Sequence, residues 1–315
     1  MASSHTLNRR EVLHMGMLAT AGALLAQSAV GAEKESPLLT KPIPSSGEAL
    51  PVVGVGTNAY GVTVAEELAA RREVLQRLPQ LGGKVVDTAP AYGLSEAVIG
   101  ELVSQIGNRQ QLFLATKVTV SNGDVAAGKA MLEESFKRLR TDKLDLVQVH
   151  SLRGTDEIIP VLLEMKAAKR IRYLGVTTSS DGQHGALMDT MRKHPLDFIQ
   201  VNYSLGDRES AAEVLPLAKE RGIAVLLNIP FGGRRGSSLF ARVGERPLPP
   251  WAAEFGASSW AQVFLKYAVS HPAVTCAIPG MTKLKHVEDN LAAARGVLPD
   301  AALRKRIEQF WDGLS

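Results

Sequence analysis

Val85-Val86-Asp87-Thr88-Ala89-Pro90-Ala91-Tyr92-Gly93 decides the fold. Lys84-Val85-Val86 follows Gly82-Gly83 and is short and β-branched, the pattern of a buried strand. Asp87 stands where that strand ends. Pro90 stops its continuation, and Ser95-Glu96 opens a helix with Ser95 as the expected N-cap. Tyr92 therefore sits on a strand-to-helix loop, five residues after an acid at the strand tip. In α/β barrels that rim carries the catalytic groups. A phenol has a reference pKa of about 10 and donates protons poorly at neutral pH unless a cation stabilises the phenolate. Two later strand ends supply partners. Lys117 closes Leu112-Phe113-Leu114-Ala115-Thr116, and His150 closes Leu144-Asp145-Leu146-Val147-Gln148-Val149.

Outward from this stretch the same alternation repeats. Strands are expected at 52–57, 84–87, 112–117, 144–150, 171–176, 198–203, 223–227 and 274–278. Helices are expected at 64–79, 95–106, 125–140, 156–169, 183–193 and 209–221. Eight strands alternating with helices and no natural break predict α/β architecture as one closed parallel (β/α)8 TIM barrel, a single domain over residues 51–315. The doubly wound dinucleotide fold is the rival. Its fingerprint is reduced here to Gly54-x-Gly56 with a late Gly61, a weak match that close packing of the first strand explains equally well. Residues 33–50 read as a linker (Glu33–Ser36) and a hairpin from Leu38 to Leu50 turning at Ser45-Ser46-Gly47.

Asp87, Tyr92 in Asp-Thr-Ala-x-x-Tyr-Gly-x-Ser-Glu, Lys117 in Ala-Thr-Lys-Val and His150 in Gln-Val-His resemble the catalytic tetrad of the aldo-keto reductases in order, type and spacing. The resemblance runs from about Leu38 to about Ala294. It implies that the hairpin plugs the barrel bottom, and that a hydride passes from NADPH (NADH is possible) to the carbonyl of an aldehyde or ketone, the small-molecule substrate. Tyr92 would be the general acid, Lys117 the cation beside it, Asp87 the anchor of Lys117, and His150 the group orienting the carbonyl oxygen. A cofactor-binding regulatory or subunit protein with little turnover is the alternative on the same barrel. A metal-dependent hydrolase would need several His and carboxylate ligands at strand ends, and only His150 is so placed, so no metal is expected.

By resemblance, Gln200 holds the nicotinamide carboxamide and Tyr203 stacks on the ring. Gly56 and Thr57 lie close to the cofactor. Gly175-Val176-Thr177-Thr178 stands where the family has Gly-Val-Ser-Asn, so Thr178 lacks the amide. Asn228-Ile229-Pro230-Phe231-Gly232-Gly233-Arg234-Arg235 replaces Tyr-Ser-Pro-Leu and its glycines. There glycine amides approach the pyrophosphate, with Arg234 and Arg235 to neutralise it. Gly280, Lys283, His286, Asp289 and Asn290 would grip the adenosine end. Lys283 and Lys285 beside the 2′-phosphate, with His286 where the family often has Arg, predict NADPH over NADH by a modest margin that grows as pH falls. Tyr60 and Trp251, with Leu152 and Phe231, are expected as walls of the substrate pocket, and 237–257 as a long loop over it.

The N-terminus carries a separate message. Arg9-Arg10 precede an apolar stretch from Met15 to Val30 that ends on small residues at Val30-Gly31-Ala32. Residues 1–32 resemble a twin-arginine signal peptide, which predicts a periplasmic protein that meets a membrane only transiently, through the export machinery. The stretch is weakly hydrophobic for a spanning helix. Cys276 is the single cysteine, so no intramolecular disulfide contributes to stability. Net charge is +4, or +3 without residues 1–32, and mixed along the chain; nucleic acid is not an expected partner. Nothing in the sequence assigns an oligomeric state.

Overall fold

Eight parallel strands form one sheet, each hydrogen-bonded to the next in chain order. The computed structural model describes residues 36–233 and 238–314. Residues 1–32, expected to form a twin-arginine signal peptide with Arg9 and Arg10, the first residues of the linker, and Arg234 and Arg235 lie outside the described residues. From Pro37 onward the chain is one unit.

The sheet strands are β3 (Val55–Gly56), β4 (Val85–Asp87), β5 (Phe113–Val118), β6 (Leu144–His150), β7 (Ile171–Thr177), β8 (Phe198–Asn202), β9 (Ala224–Asn228) and β10 (Cys276–Ala277). Single parallel bridges, Val53 to Ala277 and Gly56 to Gly280, join the first of these strands to the last and close the barrel. At this seam the regular ladder is shorter than the expected 52–57 and 274–278. Gly56 permits the close approach there, and Gly54 permits a close approach to the second strand. A Cβ on Gly54 would lie 2.6 Å from Val85 Cβ, and one on Gly56 2.6 Å from the Ile278 carbonyl oxygen.

Two apolar layers follow from strand alternation. One set of side chains packs outward against the helices. The other fills the barrel interior with Val85, Phe113, Leu146, Tyr173, Phe198 and Leu226, and Ile43 and Leu50 of the N-terminal hairpin join that inner cluster. The hairpin pairs β1 (Thr40–Pro42) with β2 (Ala49–Pro51) in antiparallel register. Its turn is tied to the barrel, because Ser46 Oγ shares a 2.7 Å hydrogen bond with the Tyr173 hydroxyl. The lower half of the barrel is therefore packed shut, and the polar strand tips lie at the other end.

Residues 237–257 are not a long loop over the site. From Ser238 on they hold a short helix, Leu239–Val243, and a 3₁₀ turn, Pro250–Phe255. Trp251 is 6% exposed, stacks on Phe255 and meets Phe310 edge-on, so it belongs to the helical layer and not to a substrate wall. Ser95 begins its helix without capping it. Its hydroxyl donates instead to the Thr57 carbonyl at 2.9 Å, and neighbouring Glu96, fully buried, pairs with Arg138 at 2.7 Å. That region of the motif fixes the helix to the barrel.

Candidate active site

Parallel register aligns the predicted groups on one rim. Gly56 lies beside Asp87, Lys117 beside Gln148, His150 beside Thr177, and Thr177 beside Gln200. The Lys117 ammonium donates to Asp87 Oδ2 at 2.6 Å and to the Thr88 carbonyl at 2.9 Å. Both side chains are at least 98% buried. Burial alone would lower the lysine pKa. The Asp87 carboxylate and the Tyr92 phenol outweigh it and hold the ammonium above the ordinary lysine value. Lys117 thus stays charged where a bare buried lysine would not.

Tyr92 ends a 3₁₀ turn, Pro90–Tyr92, that Gly93 at φ +61° turns toward the next helix. Lys117 Nζ lies 5.2 Å from the centre of the Tyr92 ring, and the His150 imidazole meets that ring edge-on at 6.2 Å. Both rings are half-exposed, above the buried pair. A cation, a phenol and an imidazole therefore face one cavity of about 350 Å³.

Gln148 is the residue that motif reading missed. Its amide nitrogen donates to Asp87 Oδ1 at 3.3 Å and to Gln200 Oε1 at 3.0 Å. It joins the ion pair to the glutamine expected to hold the nicotinamide. Its position two residues before His150 on the same strand places it on the same inward face, and a polar residue in a buried strand is the available signal. Ser151, Ser179, Asn58 and Pro279, also unforeseen, line the cavity.

Of the expected cofactor residues, Gly56, Thr57, Thr177, Gln200, Asn228, Pro230, Gly232 and Gly280 line this cavity, as does Phe231. The other described ones stand elsewhere. Tyr203 does not face it. Its ring stacks on Tyr267, and its hydroxyl donates to the Tyr267 oxygen at 3.1 Å and accepts from Arg304, outside the barrel wall. Tyr203 follows Asn202, the last strand residue, and alternation carries it outward. Asn228 takes the cavity wall instead. Thr178 turns its hydroxyl to Gln183 at 2.6 Å and does not line the cavity. Tyr60 is fully buried, with its hydroxyl donating to the Met281 carbonyl at 2.7 Å and the Arg71 guanidinium 5.6 Å from its ring; it is a packing residue. Leu152 packs against the outer core. Lys283 precedes the helix Leu284–Ala292, at its N-cap position but without a side-chain capping bond; the helix carries His286, Asp289 and Asn290. The Asp289 carboxylate is committed to Ser259 Oγ at 2.8 Å and Gln262 Nε2 at 2.7 Å.

The cavity fits a nicotinamide. Gln200 stands at its floor, Asn228 Oδ1 is buried without a partner at its wall, and Gly280 is open: a Cβ there would meet only Asn58 Oδ1, at 3.9 Å. Among the described residues, no group of three His, Cys, Asp or Glu is arranged to hold a metal ion.

Comparison with known proteins agrees. The model of the Aldo/keto reductase family matches residues 52–238 and 245–312. Methylglyoxal reductase YeaE of Escherichia coli (strain K12) is 30% identical over 273 residues, 84% of this chain and 92% of that protein. Aldo-keto reductase YhdN of Bacillus subtilis (strain 168) is 38% identical over 192 residues, a match that spans 56% of either chain. An aldo-keto reductase from Klebsiella pneumoniae, solved in complex with NADPH, superposes with a TM-score of 0.69 at 23% identity, covering 88% of this chain and 95% of that one; this likeness is one of fold.

Proposed function

This chain belongs to the aldo/keto reductase family, and we infer that it is an NADPH-dependent oxidoreductase that reduces the carbonyl of an aldehyde or ketone to an alcohol. The observation that carries this is the convergence of Asp87, Lys117, Tyr92 and His150 on one cavity floor. The bound cofactor supplies the hydride. The chain's own groups handle the oxygen. Tyr92 donates the proton to the carbonyl oxygen as charge develops there. Lys117, kept charged by Asp87, favours the phenolate that remains. His150 orients the oxygen by hydrogen bonding. Preorganised donors of this kind act where charge develops, in a site partly shielded from water. Gln200 positions the carboxamide, and Gln148 holds Gln200.

Small aldehydes and dicarbonyls of the methylglyoxal type are the first substrates to test, on the strength of the relative YeaE. The test is a nicotinamide-fluorescence titration of the purified protein followed by NADPH oxidation across a carbonyl panel. Saturable binding with turnover of at least one aldehyde is expected. Saturable binding with no turnover across the panel would instead support the regulatory alternative.

We also propose export in the folded state by the twin-arginine route. Arg9-Arg10 ahead of a weakly apolar stretch support it, and a cofactor made in the cytoplasm requires folding around it before crossing. Replacing both arginines with lysine should retain the protein in the cytoplasm. A double-lysine protein that still fractionates with the periplasm overturns the proposal.

A further inference from the structure

A second cavity, of about 410 Å³, adjoins the first and shares Ser179, Ile229, Gly232 and Gly233 with it. The segment after the fifth barrel strand contributes Asp181 to its wall, the end of the sixth strand Asn202, and the segment after that strand Ser204 and Asp207. Carbonyl reduction uses none of these four. Three of them hold a buried polar atom with no hydrogen-bond partner: Asp181 Oδ1, Asn202 Oδ1 and Ser204 Oγ. Asn202 is 8% exposed and Ser204 1%. The Asn202 amide nitrogen donates to the Ser179 carbonyl at 3.2 Å, which leaves the amide oxygen as its free end. Next to Asp181, His184 Nε2 is also unpartnered, 3.9 Å from Asp181 Oδ1. A buried polar atom without a partner costs about 1–3 kcal/mol. Several together in one wall mark a place where a ligand's groups complete the bonding.

The chemistry of the wall selects that ligand. A carboxylate and an amide oxygen only accept, and of the three unpartnered lining groups the Ser204 hydroxyl alone can also donate. Asp181 and Asp207 add like charges, and burial together with Asp181 raises the Asp207 carboxyl above its ordinary range. Among the described lining residues Arg242 is the one cation; it donates to the Leu314 carbonyl at 2.9 Å and lies over the Trp311 ring at 4.6 Å. Anions are disfavoured by the two carboxylates. A metal ion is not supported, since among the described residues no group of three His, Cys, Asp or Glu is arranged to hold one. An ammonium has three donors, no acceptor and the opposite charge.

We propose that this cavity is a second ligand site that binds the primary ammonium group of an organic amine, with Asp181, Asp207 and the Asn202 carbonyl oxygen as its acceptors. The shared Gly232-Gly233 segment places the amine next to the catalytic cavity. The site goes beyond the reductase reading and does not depend on it.

Calorimetric titration of the full-length protein with 1,5-diaminopentane tests this, with 1,5-pentanediol as the uncharged control. The diamine should bind, and the diol should bind at least about tenfold more weakly, the loss expected when a charge-assisted hydrogen bond becomes a neutral one. Asp207→Asn and Asp181→Asn, nearly isosteric, should each weaken the diamine about tenfold or more, while NADPH binding by the same variants confirms that they are folded. Tyr92→Phe should leave diamine affinity unchanged, which separates this site from the catalytic one. No diamine binding, equal binding of diol and diamine, or undiminished affinity in both Asn variants overturns the proposal.

Discussion

The strand tips and the loops beyond them hold their functional groups by different means. At the tips, Asp87, Lys117, Gln148 and Gln200 stand on four strands inside the barrel, nearly all of their surface buried, and hydrogen-bond to one another. Their geometry is fixed by the sheet register before any ligand arrives. Beyond the tips, Ile229, Phe231 and Gly232 after Asn228 and His286 on the helix Leu284–Ala292 are half-exposed, and Lys283 and Lys285 are exposed. The backbone beyond the tips is less relaxed as well: Ile229 after the Asn228 strand, and Ser151 and Leu152 after the His150 strand, adopt positive φ without being glycine. Chemistry is thus placed on the preformed part and cofactor grip on the adaptable part. Substitutions at the tips should act on rate and stability together, and those in the segment after Asn228 and on the helix carrying His286 on affinity alone.

Lys117→Met should show the largest effect. Removing one member of a buried ion pair leaves the Asp87 carboxylate uncompensated, a loss of about 3–5 kcal/mol, and it also removes the cation beside Tyr92. Denaturant unfolding and steady-state rates measure the two parts. A variant of normal stability would show that the pair contributes nothing to holding the tips rigid.

Gln148→Leu sharpens the comparison, because it lies deep inside the barrel and away from the carbonyl. Loss of its two hydrogen bonds leaves Gln200 and Asp87 with unpaired groups, at about 1–3 kcal/mol. The NADPH dissociation constant should rise about tenfold, and the pH–rate profile should shift because Asp87 loses a donor. Unchanged cofactor affinity and an unchanged profile would reduce Gln148 to packing.

His286→Ala probes the loops and should give the smallest change. Burial, reinforced by Lys285 and Lys283, lowers the His286 pKa from the ordinary 6.5. A histidine lowered in this way stays neutral above that value and gains charge only below it. The NADPH-over-NADH ratio should therefore be flat from about pH 7 upward and rise only toward about pH 6 or below. Dissociation constants for both cofactors at about pH 6 and about pH 8, in parent and variant, check this. The expected low-pH rise should vanish in the Ala variant.

The same division explains what the sequence makes legible. Short, nearly continuous apolar runs rich in β-branched residues place eight strands within a few residues. Asp87, Lys117 and His150 are readable because each closes such a run, and Tyr92 because it follows Asp87 by five residues on the loop that leads into the next helix. Gln148 is concealed among apolar neighbours, and only its hydrogen bonds reveal it. Tyr203, Tyr60 and Trp251 show the opposite failure. An aromatic near a strand end or in a long connection looks like a ligand wall, yet alternation draws Tyr203 into packing, a backbone carbonyl partner draws Tyr60, and contacts with Phe255 and Phe310 draw Trp251. Which loop side chains turn inward depends on tertiary contacts that no local pattern carries, as the Thr178 hydroxyl committed to Gln183 illustrates.

The central claim is that Tyr92 gives its proton to the carbonyl oxygen from a preformed, charged floor. Tyr92→Phe keeps the ring and removes only the donor. Single-turnover reduction by the NADPH-loaded variant measures its contribution directly. The account predicts a rate loss of about 10²–10⁴-fold with the NADPH dissociation constant within about twofold of the parent. A Phe variant that reduces the same carbonyl within about threefold of the parent rate, far short of the loss expected for a general acid, would contradict it.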